Sequence, residues 1–269
     1  MNTHQKGHLH PLSRAILEIR AIFGALGFEI ALGPEIETEW HNFDALNIPA
    51  DHPARDMQDT FWLQSNQKVS STIELSPLTV NSQKSKVKSD RRVLRTHTSP
   101  VQIRYMEEKV KAGINPPYRI IVPGKIFRNE ATDATHEAQF FQVEGLYVDR
   151  EVSMAHLKGA LLHFLKKFFN DENIEVRFRP SYFSFTEPSA EVDMLYRRQS
   201  ASNPRESAWL EMGGAGLVHP NVLRNVGLDP RAYSGFAFGM GLDRLVMLKY
   251  GIPDIRMFYS GDLRLVNQF

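Results

Sequence analysis

A chain of 269 residues, 42% hydrophobic and 23% charged, can bury one large core or at most two smaller ones. It has no cysteine, which excludes disulfides and thiolate metal sites, and no apolar run near the roughly 20 residues of a membrane span. With 32 Lys and Arg against 31 Asp and Glu, a large uniform basic surface is excluded too, so any nucleic-acid contact is local or shared with another chain.

The first residues, Met1 to Lys6, lack the apolar region of a signal peptide, and with the absent cysteines this suits a reducing cytoplasm. From Pro11 to Leu26, apolar residues at three- and four-residue spacing (Leu12, Ala15, Ile16, Ile19, Phe23) predict an amphipathic helix. Pro11 suits its first turn and Gly27 its end. An extended stretch, Phe28 to Leu32, follows, and Pro34 then marks a strand edge or bulge. Residues 64–92 change character: seven serines and several lysines and arginines, without one aromatic, predict a flexible surface insertion whose cations are solvated rather than bound to nucleic acid. Beyond it, strands are expected at 118–128, 139–148, 174–186, 207–213 and 234–239. A helix is expected from Val152 to Phe169 and another from about Met240. Strands running as meanders with few crossover helices predict an α+β fold, a mostly antiparallel sheet flanked by helices, in a single domain over 1–269.

Alternate side chains of a strand share a face. On that basis Phe140, Gln142 and Glu144 point one way while Phe141, Val143 and Gly145 point the other. His97 with Ser99, Arg128 with Glu130, and Phe183 with Phe185 are expected to pair similarly, and a loop, Thr132 to Glu137, joins two of the strands. Taken singly, each residue has a plainer reading: Glu144 as the wet side of a strand, Phe183 and Phe185 as core, His97 and His136 as surface histidines. Together they predict a sheet whose open face is a lined binding surface. Gly239-Met240-Gly241-Leu242-Asp243-Arg244 is a poor dinucleotide fingerprint, with Arg244 in place of the third glycine and no parallel strand-helix-strand unit around it. Neither a phosphate-binding GxxxxGK[ST] loop nor HExxH zinc spacing is present.

In order and spacing these segments resemble the three motifs of class II aminoacyl-tRNA synthetases. Gly27 to Glu35 resembles the first, Phe127 to Gly145 the second, and Gly235 to Leu245 the third. The phrases Arg95-Thr96-His97-Thr98-Ser99-Pro100, Arg179 to Ser189, Gly216 to Pro220 and Gly251 to Arg256 narrow the resemblance to the bacterial phenylalanyl-tRNA synthetase alpha-subunit family. The resemblance implies activation of phenylalanine with ATP and transfer to tRNA(Phe), beside a beta subunit in a heterotetramer of two alpha and two beta chains.

It also implies roles. Arg128 would hold the α-phosphate, Glu130 would face the adenine, and His136 would approach the outer phosphates. Phe140 and Arg244 would sandwich the adenine ring, with Arg128 and Arg244 as the catalytic pair. His97, Ser99, Gln142 and Glu144 would receive the phenylalanine ammonium, Phe183 and Phe185 its ring, and Ala237 would form the pocket floor. Glu187 would share Mg²⁺ with the beta subunit.

By the same resemblance the chain is expected to begin at the catalytic domain, lacking the family's N-terminal helical hairpin that reaches for tRNA. Asp243 replaces the more usual glutamate, and Phe141 stands where a histidine is common. Two rival readings accompany this one: a paralogue that forms an adenylate without charging tRNA, and a non-catalytic relative that keeps the fold. Arg128, Glu130, His136, Glu144 and Arg244 weigh against the second.

Overall fold

Helix α1 (Pro11–Ala25) forms as its spacing requires, burying Leu12, Ala15, Ile19 and Phe23, and it stops at Gly27, whose φ is +79°. In this computed structural model, residues 7–56, 59–64, 91–197 and 207–269 are described. Short strand β1 (Glu29–Ile30) follows, with Pro34 falling between it and β2 (Ile36–Thr38), and then α2 (Glu39–Asn42). Most of the expected insertion at 64–92, residues 65–90, lies outside the described residues. Beside it, β3 (Trp62–Leu63) and β4 (Arg92–Leu94) pair with each other, and β4 with β2, so Arg92, expected in the insertion, belongs to a small sheet.

Helix α3 (Ser99–Lys111) corrects one expectation. His97 and Ser99 do not alternate on a strand; Ser99 is the first residue of this helix. Pro100 in its first turn, Lys109 and Lys111 in its last and Gly113 at φ +70° were the available signals. Strands β5 (Tyr118–Phe127) and β6 (Gln139–Asp149) fall where predicted. Arg128 and Glu130 sit just past the end of β5, in the loop and not on the strand. Helix α4 (Met154–Phe169) comes next.

The single strand expected at 174–186 is two: β7 (Val176–Phe183) turns at Ser184 and Phe185 into β8 (Thr186–Arg197). Phe183 and Phe185 therefore lie on either side of a turn. β9 (Ser207–Val218), α5 (Pro220–Asn225), β10 (Ser234–Gly241), α6 (Leu242–Tyr250) and α7 (Leu263–Val266) complete the chain; β9 and β10 run further than expected and α6 starts two residues later.

The large sheet has the order β1-β5-β6-β10-β9-β8-β7, parallel only at β1–β5. Strand alternation assigns its faces. Ile121, Val143, Phe236, Phe238 and Met240 pack with α1, α4 and α6 in one core. Ile120, Val122, Leu146 and Ala237 pack on the opposite side with α3, α5 and the 3-10 turn Asp44–Leu46. The second side is only partly covered, and the uncovered stretch of sheet is the floor of a cleft.

Candidate active site

The cleft, of about 1300 Å³, runs over β6, β9 and β10. Phe140, Gln142 and Glu144 of β6 line it, as their alternation predicted, with Ala237 and Gly239 of β10 beside them. His97, Ser99, Arg128, Glu130, His136, Phe183, Phe185 and Arg244 line it as well. Residues spread from 97 to 244 thus meet in one space.

Glu144 is the most constrained of them. It is buried, 4% exposed, on the register pair opposite Gly239, where any side chain would meet Gln142 Nε2 at 2.9 Å. Its carboxylate faces the start of α3: the Thr98 backbone N–H donates to Oε1 at 3.0 Å, and Ser99 Oγ and Gln102 Nε2 donate to Oε2 at 2.6 and 2.9 Å. A helix N-terminus favours such an anion. Burial nevertheless outweighs these donors and pushes the carboxyl up to about 7. Each carboxylate oxygen can accept two hydrogen bonds. Among the described residues Oε2 has both, whereas Oε1 accepts from the Thr98 N–H, so Oε1 can take a further donor.

Around Glu144 stand polar atoms that the fold leaves unpaired. Among the described residues, both ring nitrogens of His97 and Oε1 of Gln142 are buried without a hydrogen-bond partner. Burial and the nearby Arg128 guanidinium hold His97 down to about 3, so it is the neutral ring at any physiological pH. Unpaired buried polar atoms are costly, and a polar ligand satisfies them. The Thr96 segment leading to His97 is fixed by buried Asn42, which both donates to Thr96 Oγ1 and accepts from its N–H.

Beyond these polar groups the wall turns apolar. The Phe183 and Phe185 rings are stacked at 5.9 Å and 17°, and Phe185 lies 6.3 Å from His97. Gly214 permits this, since a side chain there would meet the Phe183 ring at 2.7 Å. Ala237 is buried among Leu146, Val218 and Val222, all of which line the cleft. The result is a ring-sized apolar recess next to an anionic acceptor.

The other end is cationic. Arg128 Nε donates to the Thr96 carbonyl at 3.2 Å, and its guanidinium lies 5.3 Å from the centre of the Phe140 ring. Burial lowers its pKa, but an arginine remains charged. Arg244, in the first turn of α6, is exposed and has no ion pair or side-chain hydrogen bond among the described residues. Asp133 organises the His136 loop by accepting from the N–H groups of Thr135 and His136 and from the His136 ring. These bonds hold Asp133 well below the usual carboxylate range. Glu130 is exposed at the rim.

One placement departs from expectation. Ser99 lines the cleft, but its hydroxyl donates to Glu144, so it supports the acceptor rather than standing as a separate one. Glu187 is exposed, outside the cleft lining, and among the described residues no group of three His, Cys, Asp or Glu is arranged to hold a metal.

Sequence reasoning missed Gln102, whose signal was its i+3 spacing from Ser99 on α3. It also missed the work of Asp243. That residue is 1% exposed, accepts from the Phe141 N–H at 2.6 Å and from the Tyr259 hydroxyl, and burial raises it to about 6. It ties the β6 segment carrying Phe140 and Gln142 to the helix start carrying Arg244.

The profile of the tRNA synthetases class II core domain (F) matches residues 1–269. The phenylalanine–tRNA ligase alpha subunit of Azoarcus sp. (strain BH72) is 51% identical over 269 residues, covering 98% of this chain and 70% of that protein. The alpha subunit of Proteus mirabilis is 51% identical over 265 residues, 98% of this chain and 69% of that one. The solved pyrrolysyl-tRNA synthetase of Desulfitobacterium hafniense shares the fold, with a TM-score of 0.66 at 16% identity over 97% of this chain and 76% of that one. The chain belongs to the class II tRNA synthetase core family, among the phenylalanine–tRNA ligase alpha subunits.

Proposed function

We propose that this chain activates phenylalanine with ATP for transfer to tRNA(Phe), in one catalytic domain over 1–269 that works in the cytoplasm beside a beta subunit. The observation that carries the proposal is the pairing, in one cleft, of buried Glu144 with a ring-lined recess at one end and Arg128 and Arg244 at the other.

The amino acid's ammonium donates to the open position on Glu144 Oε1 and to Gln142 Oε1, and neutral His97 accepts or donates according to its tautomer. The phenyl ring enters the recess of Phe183, Phe185 and Ala237, where edge-to-face contacts add about 0.5–1.5 kcal/mol per pair beyond burial. That leaves the carboxylate pointing toward the cationic end. One of its oxygens forms a bond to the α-phosphorus of ATP as the bond from that phosphorus to the β-bridging oxygen breaks, giving phenylalanyl-adenylate and pyrophosphate.

A carboxylate is already an anion, so the residues need no general base; they supply position and positive charge. Arg128 contacts the α-phosphate with a planar fork suited to two oxygens. Arg244 and Phe140 enclose the adenine, Glu130 meets its exocyclic edge, and His136 reaches the outer phosphates. ATP enters as its Mg²⁺ complex. Exposed Glu187 would share the ion with the beta subunit, an open site that phosphates or the partner complete. The same proposal includes a heterotetramer of two alpha and two beta chains.

Phenylalanine-dependent ATP–pyrophosphate exchange, run on the chain alone and with a phenylalanine–tRNA ligase beta subunit, tests this reading. Exchange that favours phenylalanine over tyrosine is expected. Its absence from both mixtures, with the chain folded, refutes the reading.

A further inference from the structure

Asn47 does not line the cleft, but its neighbours Leu46 and Ile48 do, and both are buried. It ends the 3-10 turn Asp44–Leu46 at φ 60° and ψ 22°, the left-handed region that Asn and Gly tolerate best. From there Nδ2 donates to the Ser184 carbonyl at 2.7 Å. Ser184 is the buried residue between Phe183 and Phe185. The other end of the Asn47 amide is also held: Asn221 Nδ2 donates to its Oδ1 at 2.9 Å, and Arg224 donates in turn to Asn221 Oδ1.

Ser184 and Phe185 are the turn that joins β7 to β8, beyond the last register pair of the ladder, Phe183 with Thr186, so their backbone needs other partners. Phe183 N–H donates to Ser189 Oγ at 3.2 Å, and the Phe185 carbonyl accepts from His219 N–H at 2.9 Å. Both tethers come from segments that adjoin the turn in the sheet. Asn47 provides a tether from a separate wall of the cleft, and it grips the peptide between the two stacked rings.

We infer that Asn47 is a positioning residue for the aromatic recess: through the Ser184 carbonyl it fixes the spacing of Phe183 and Phe185, and Asn221 fixes Asn47. The inference rests on the reading of this cleft as the phenylalanine site. Without the Asn47 amide, a buried carbonyl loses its donor and the turn relaxes. The recess then grips phenylalanine less well and rejects tyrosine less well. Arg244 and the His136 loop hang on other elements, so the ATP end is unaffected.

The test is Asn47→Gly in the complex with a phenylalanine–tRNA ligase beta subunit, assayed by ATP–pyrophosphate exchange. Glycine accepts the left-handed backbone and removes only the amide. The KM for phenylalanine rises roughly three- to tenfold while the KM for ATP stays within about twofold, and preference for phenylalanine over tyrosine falls. A merely structural role lowers the melting temperature but leaves the phenylalanine KM and the preference unchanged, and that result overturns the inference alone. Wild-type complex without phenylalanine-dependent exchange overturns the site reading as well. If Asn47→Gly does not fold, Asn221→Ala removes the brace on Asn47 together with the exposed hydrogen bond from Arg224. It moves the phenylalanine KM in the same direction, and an unchanged value there is equally fatal.

Discussion

Replacing Glu144 by glutamine changes its charge but hardly its shape, and the surroundings set the consequence. Three donors converge on this carboxylate: Thr98 N–H, Ser99 Oγ and Gln102 Nε2. A glutamine amide offers one oxygen and one NH2, so in either orientation at least one buried donor faces another donor. That mismatch costs about 1–3 kcal/mol of stability. Separately, the substrate ammonium loses a charge-assisted hydrogen bond of about 1.5–3 kcal/mol, so kcat/KM for phenylalanine falls roughly 10- to 150-fold. The KM for ATP, bound at the far end, changes little.

The pH profile adds a second readout. Burial raises Glu144 from 4.5 to about 7, so the folded state binds its proton more tightly than the unfolded state does. Its contribution to stability is therefore complete below about pH 4.5 and is lost as the pH rises through 7, a change on the order of 3 kcal/mol. The ionised form is the one that receives an ammonium, so wild-type kcat/KM for phenylalanine climbs with pH to about 7 and then levels. Glu144→Gln lacks that limb. Exchange assays of both proteins from pH 5.5 to 8.5 decide the matter. Equal kcat/KM for phenylalanine, or an identical acid limb, refutes the assignment of Glu144 to the ammonium.

Arg128→Ala and Arg244→Ala each cut single-turnover adenylate formation by about 10²–10³, the usual loss for one charge-stabilising donor, and a rate within about threefold of wild type rules out the residue concerned. Ala237→Gly admits phenylalanines carrying a para substituent, whereas Ala237→Val, in a recess walled by Leu146, Val218 and Val222, excludes the ring; unchanged substrate choice in both variants removes Ala237 from the pocket floor. Tyr259→Phe takes a hydroxyl donor from buried Asp243, which burial already raises to about 6. Asp243 contributes its stability below about pH 4 and loses it through 6; without the hydroxyl that loss grows and moves upward. Urea unfolding should show a deficit of about 1–2 kcal/mol at pH 8 and a smaller one at pH 5. Equal deficits at both values contradict the role given to this bond.

Periodicity carried α1, α4 and the strands at 118–128 and 139–148, because each has an apolar stripe to bury and the period of that stripe is local information. The facing of Phe140, Gln142 and Glu144 was legible for the same reason. The resemblance brought His97, Arg128, His136 and Arg244 onto the list of site residues, although no period links them. What the sequence by itself determined is therefore the sheet, its flanking helices and the chemistry present. Tertiary structure alone decided how that chemistry is held. That Ser99 and Gln102 support Glu144, that Asp243 joins two motifs through Tyr259, and that Asn47 grips Ser184 are contacts between residues 16 to 137 positions apart. Each is a single hydrogen bond whose partner is fixed only when the sheet order and the helix positions are. A lone polar side chain leaves no periodic trace of the atom it will meet.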